Sequence, residues 1–210
     1  MAICYATSHP FRFTSISKHL PLDTLKFLVT TLRNHDKKVA LIWVDEDGSL
    51  AIYYEFTRTC HNMNTIVQTT GGDASSLNGK SENPNNKLAN ITRYLILKSI
   101  HKKEIWYFAY QYAIWISLWT ENVLRGGVPY FLWHLKIPSY KHIKRWGVRV
   151  YIINGLVTRN NIDDRLNRGY FMVYAYTTGV ILYWKPYQPF DIHRSHHFWF
   201  DEYNYPLSVE

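Results

Sequence analysis

An α/β domain that leads through helices into a small all-β barrel is the architecture this sequence predicts. Three observations predict it. Strand-like and helix-like segments alternate up to about residue 70, helical spacing dominates between roughly residues 83 and 134, and short β-branched and aromatic runs separated by turn signals fill the remainder. The predicted divisions are residues 1–100 for the α/β core, 101–137 for a helical connector and 138–205 for the barrel.

Within the core, apolar and polar residues alternate from Phe11 to Ile16 as in a half-buried strand. Pro21-Leu22-Asp23 then opens a segment whose Leu25, Leu28, Val29 and Leu32 share one helical face. Val39 to Val44 is a continuous apolar run, fitting a strand covered on both faces, and Asp45-Glu46-Asp47-Gly48 ends it as a turn. A second helix is predicted over Ile52 to Asn62 and a third strand over Thr65 to Thr69. Gly71 to Gly79 is rich in Gly, Ser, Asp and Asn without apolar periodicity and reads as a surface loop. Asn83-Pro84 has the chemistry of a helix start, with Leu88, Ile91 and Leu95 as the buried face that follows.

The connector is predicted as one helix through Ile105, Phe108, Ala109, Tyr112 and Ile116, then a short one over Pro129 to His134 after the Gly126-Gly127 break. Beyond Pro138 five strands are predicted: Val148 to Ile153, Tyr170 to Ala175, Val180 to Trp184, Phe190 to His193 and His197 to Phe200. Asn154-Gly155, Thr178-Gly179 and Lys185-Pro186 supply the turns between them. A closed barrel is the arrangement that limits the exposed edges of so many short strands.

Composition narrows the function. Apolar residues make up 47% of the chain, which excludes wholesale disorder. The longest apolar stretch, Ile105 to Trp119, is broken by Gln111 and Ser117 and falls short of the roughly 18 to 20 clean residues of a membrane span. Met1 to Tyr5 lacks the basic and apolar regions of a secretory signal, so an intracellular location, the nucleus included, is expected. Cys4 and Cys60 are too few for a disulfide framework and lack zinc-ligand spacing; buried thiols are expected. A net charge of +8 favours a polyanionic partner, because lysine and arginine displace counterions from phosphates.

Asp45, at the C-terminal end of an apolar strand, and Glu82, beside a predicted helix start, are the carboxylates placed where α/β folds gather ligands. Taken singly, Asp45 reads as a turn residue and Glu82 as a helix-start acid favoured by the helix dipole. His193, His196 and His197 alternate along predicted strands and so face different ways, which argues against a metal cluster.

The order of these landmarks resembles copia-type LTR retrotransposon polyproteins along nearly the whole chain. Val44-Asp45-Glu46-Asp47-Gly48 is similar to that family's Asp-bearing strand end, and Asn78-Gly79-Lys80-Ser81-Glu82 to its Asn-Gly-x-x-Glu loop, with Arg93 where the next helix carries an arginine. Glu104-Ile105-Trp106, Val128 to Trp133 and Trp146 to Tyr151 resemble its connector. Asp163-Asp164-Arg165, Arg168 to Phe171 and Phe198 to Glu202 resemble the SH3-like module that follows integrase.

The resemblance implies a ribonuclease H-like integrase core, truncated at its N-terminus, whose three carboxylates hold two divalent ions for in-line displacement at phosphorus. Asp45 and Glu82 carry over as catalytic and metal-binding residues. The first aspartate falls near Cys4, and a soft thiol is a poor partner for Mg²⁺, or for Mn²⁺ in its place, so weak metal binding and little or no strand transfer are implied. The family's basic residue after the catalytic glutamate is Asn83 here. DNA is the implied partner, met by Asn78, Lys80, Lys87, Arg93 and Lys98, with self-association left open and no membrane. Two alternatives stand beside this: an active enzyme in which another acid such as Asp73 completes the site, and a non-catalytic interaction module built on the 17% aromatic content.

Overall fold

The structure is a computed structural model that describes residues 2–4, 6–11, 22–45, 54–70, 75–99, 103–153, 166–175, 178–186 and 192–203. Of residues 2, 45, 69, 70, 75–84, 103 and 124 the backbone alone is described. The chain divides into two compact units, residues 13–85 and residues 1–12 with 86–210.

In the unit of residues 13–85, helix α1 (Leu22–Asn34) precedes strand β3 (Leu41–Asp45), and helix α2 (Tyr54–Asn62) crosses to strand β4 (Ile66–Thr70). A helical crossover lets consecutive strands run parallel, and β3 and β4 do so, from Leu41 opposite Ile66 to Asp45 opposite Thr70. Helix α2 ends where Asn64 takes a left-handed φ of 51° and the Thr65 N–H reaches back to the Cys60 carbonyl at 2.9 Å. The Thr65 hydroxyl donates to the Val39 carbonyl at 2.9 Å, tying the starts of the two strands together. One face of the pair packs Ile42, Val44 and Val67 on Leu25 and Val29 of α1 and Phe56 and Cys60 of α2. The other face leaves Leu41, Trp43 and Ile66 exposed, with the Trp43 indole N–H donating to Gln68 at 2.8 Å. The predicted alternation of strands and helices holds here, although β3 is covered on one face where the continuous apolar run predicted two.

Helix α3 runs from Ser75 to Leu97, so Ser75 to Gly79 is helical where a loop was predicted, and the helix starts upstream of Asn83-Pro84. Pro84 supplies no N–H to the ladder and Gly79 costs about 1 kcal/mol, which is why the sequence reads as non-helical there. The downstream turns are anchored by Leu88, which packs with Ile91, Leu95, Ala113 and Ile114 in one cluster.

In the other unit, the strands β1 (Ala2–Ile3) and β2 (Pro10–Phe11) form a short antiparallel hairpin. Helix α4 (Trp106–Ser117) follows a 3-10 turn at Lys103–Ile105, and helix α5 (Pro129–His134) has its proline in the first turn and stops at Leu135, whose φ is 55°. Strands β5 (Arg149–Ile153), β6 (Leu166–Tyr174), β7 (Ile181–Trp184), β8 (Ile192–Ser195) and β9 (Phe198–Asp201) form one antiparallel sheet in the order β8-β7-β6-β5-β9. Strand β6 begins at Leu166, four positions before the predicted Tyr170, because the ladder with β5 continues through Asn167, Arg168 and Gly169.

The sheet is coiled on itself. Its two edge strands are joined by His196-His197 alone, so the ends of β8 and β9 lie within about 11 Å, whereas a flat five-stranded sheet holds its edges about 19 Å apart. The Ile153 N–H donates to the His197 carbonyl at 3.2 Å, which extends the β5–β9 pairing into this link. Gly169 faces a ring of the next strand: a Cβ there would lie 2.4 Å from the Tyr183 ring.

Helix α4 belongs to the core of this sheet. Ala109, Tyr112 and Trp115 pack with Val148, Val150, Phe171, Tyr174 and Ile181, with Tyr112 and Phe171 edge to face at 5.3 Å. The Tyr112 hydroxyl donates to the Lys144 carbonyl and accepts from the Lys144 N–H at 3.0 Å. The compact units therefore follow boundaries different from the expected 1–100, 101–137 and 138–205: connector and sheet share one core, and α3 spans the division at residues 85 and 86.

Candidate metal and nucleic-acid site

Asp45 is the last residue of β3, at the carboxyl end of a parallel strand pair, which is where the sequence placed it. Glu82 lies within α3, eight residues into the helix counting from Ser75, and Asn78 and Lys80 are helical with it. Asp45 and Glu82 fall in the same compact unit. Their side chains, with those of Asn78 and Lys80, lie outside the described residues. Asp73 lies outside them altogether.

Cys4 belongs to the other compact unit. It follows β1 at the mouth of the hairpin, donating its N–H to the His9 carbonyl at 2.9 Å and accepting at its own carbonyl from the Ser8 N–H at 2.8 Å. It is half-buried, where burial was expected, and follows a strand of a sheet other than the one that holds Asp45. Cys60 is fully buried under α1 and β3, and that burial pushes its thiol pKa up. Asp45 and Glu82 offer the oxygen ligands that magnesium takes in near-octahedral geometry, whereas the thiol of Cys4 is a soft donor that magnesium disfavours. Among the described residues no three His, Cys, Asp or Glu side chains stand close enough to share a metal, His193, His196 and His197 included.

Lys87, Arg93 and Lys98 project from the solvent side of α3 and the turn that follows it. The Arg93 guanidinium donates to Asn90 at 2.8 Å, one helical turn back. Tyr94 and Leu97 are exposed on the same side, opposite the buried Leu88 and Thr92. The exposed side of the described part of α3 and the turn after it thus carries three cations and an aromatic ring.

Sequence reasoning missed the environment of His9. Its ring packs 5.0 Å from Phe11 and 4.9 Å from Trp133, with His134 at 5.8 Å. Burial, and then the neighbouring His134, lowers its pKa to about 4. His9-Pro10 carries no periodic signal, so only tertiary contact reveals it.

No family model matches the chain, and no curated protein matches it. Among solved structures it is similar to a chain of the simian T-cell lymphotropic virus intasome in complex with the PP2A regulatory subunit B56 gamma, at 14% identity and a TM-score of 0.40. That match covers 82% of this chain and 60% of the viral chain, so less than two thirds of the neighbour is represented. A likeness of this depth assigns neither family nor activity. Among the described residues no helix is long and apolar enough to cross a membrane.

Proposed function

We propose that the chain is an integrase-derived nucleic-acid-binding protein of copia type whose transfer site is impaired. The observation that carries this reading is the order β3-α2-β4-α3, with Asp45 ending a parallel strand and Glu82 on the helix that follows its partner strand. That is the placement a ribonuclease H-like core needs for two of its metal-binding acids. The strand order β8-β7-β6-β5-β9, a meander whose last strand returns to the first, supports an SH3-like barrel behind it. The exposed Lys87, Arg93 and Lys98 supply DNA contacts that position a duplex without reading its sequence. Any Mg²⁺ or Mn²⁺ bound at Asp45 and Glu82 is held weakly, because the position where the resemblance expects the first aspartate is Cys4 and two acids alone remain to supply carboxylate oxygens.

Two measurements test this. Binding of a labelled DNA duplex weakens as salt rises, and replacing Lys87, Arg93 and Lys98 by alanine lowers the slope of log affinity against log salt by about one per removed contact. Absence of binding at low salt sinks the proposal. A strand-transfer assay with Mg²⁺ or Mn²⁺ gives no product with the chain as it stands. Product from the unaltered chain that disappears in Asp45→Asn would instead establish an active integrase.

A further inference from the structure

Strand β5 alternates buried Val150 and Ile152 with Arg149 and Tyr151, which stand on the outer face of the coiled sheet. On that face Tyr151 lies opposite Trp199 of β9 and Arg168 of β6. Its ring stacks on Trp199 at 5.6 Å with an interplanar angle of 30°, and the Arg168 guanidinium sits 5.9 Å from the Tyr151 centroid. Cross-strand aromatic pairs of this kind often serve the sheet alone. Here, however, Trp199 keeps 43% of its surface exposed and Arg168 is exposed as well, so the rings and the cation face water together. Arg149 lies next along β5, opposite Tyr170 and Asp201. Asp201 on this face accepts from the Tyr151 hydroxyl at 3.2 Å and so is already engaged.

We infer that this face is a binding surface for unpaired nucleotides. An exposed indole beside a phenol offers a platform on which bases stack whatever their identity, and two guanidinium groups flanking it match the phosphates between successive bases. A duplex keeps its bases stacked on each other and offers only its backbone, so the aromatic pair distinguishes single strands from double ones. A peptide with lysine or arginine side chains is disfavoured by the same two cations, and a proline-rich peptide has no charge to pair with them. The surface is separate from the α3 cations: it stands on β5, β6 and β9 and adds a second kind of contact to the one α3 makes.

The test is fluorescence anisotropy on the full chain with a short pyrimidine DNA strand, the RNA of the same sequence and the matching duplex. Trp199→Ala and Tyr151→Ala weaken single-strand binding about ten-fold, Trp199→Phe restores most of it, and duplex binding is unchanged. Binding of either DNA or RNA single strands in this way supports the inference and names the source. Equal losses for strand and duplex, or no loss at all, overturn it. Should Trp199→Ala lower the thermal midpoint, Arg168→Gln at an exposed position provides the decisive comparison, with several-fold weaker single-strand binding expected and unchanged affinity overturning the inference. Alanine at Lys87, Arg93 and Lys98 lowers duplex binding and leaves the effect of Trp199→Ala in place, so failure of the α3 reading and failure of this one give different results.

Discussion

The two larger sheets of this protein bury their apolar residues in opposite ways. The parallel pair β3–β4 has one covered face, and its other face leaves Leu41, Trp43 and Ile66 in water. The antiparallel sheet of β5 to β9 coils so that the ends of its edge strands come within about 11 Å, and helix α4 packs Tyr112 and Trp115 into its core. Parallel sheets need cover on both sides because their connections run over the faces, whereas an antiparallel meander can close on itself through short turns. The candidate acids Asp45 and Glu82 belong to the unit whose described strand pair is covered on one face.

The comparison breaks first at its strongest point. Phe171→Ala removes a fully buried ring from between Tyr112 and Phe200 and costs about 3 to 5 kcal/mol in chemical denaturation, whereas Ile66→Ala on the open face of β4 changes stability by no more than about 0.5 kcal/mol. Similar losses at both positions would erase the contrast.

Acid provides the next measurement. Folded, His9 holds its pKa at about 4 against an ordinary 6.5. The unfolded chain therefore takes up this proton first as pH falls, and stability that is complete above about 6.5 declines through the window down to about 4, by on the order of 2 kcal/mol once partial exposure is allowed for. Denaturation midpoints near pH 7 and pH 4.5 show this decline in the wild type and a smaller one in His9→Phe. Equal declines in both proteins would remove His9 from the account.

The smallest effect belongs to Lys144 and Glu202, an ion pair with the carboxylate more than half exposed. Glu202→Gln costs no more than about 1 kcal/mol, less at high salt, as thermal unfolding at two salt concentrations will show.

Much of this fold is legible in the sequence where local chemistry decides it. Helix α5 has the predicted bounds because Pro129 opens it, and β5, β7 and β9 lie within a residue or so of their predicted spans because branched and aromatic runs fit a pleated surface. The failures are equally physical. Gly71 to Gly79 reads as a loop and Asn83-Pro84 as a helix start, yet α3 runs unbroken from Ser75 to Leu97, and the strand predicted from Tyr170 begins at Leu166 because its ladder with β5 continues through Asn167, Arg168 and Gly169. For the candidate site, the strand-end position of Asp45 follows from the apolar run before it. The membership of the strand before Cys4 in a different sheet does not, since strand partners at long range leave no trace in a single sequence. The stacking of Tyr151 on Trp199 is hidden for the same reason.

The two-residue link His196-His197 has a consequence for how the protein is made. Strand β9 pairs with β5 but emerges from the ribosome last of the five, so the hydrogen-bonding edge of Arg149–Ile153 stays uncovered until translation has passed Asp201. Products terminated within this interval carry a bare, β-branched edge that can template pairing between nascent chains, and quality-control proteases should meet them as aggregates.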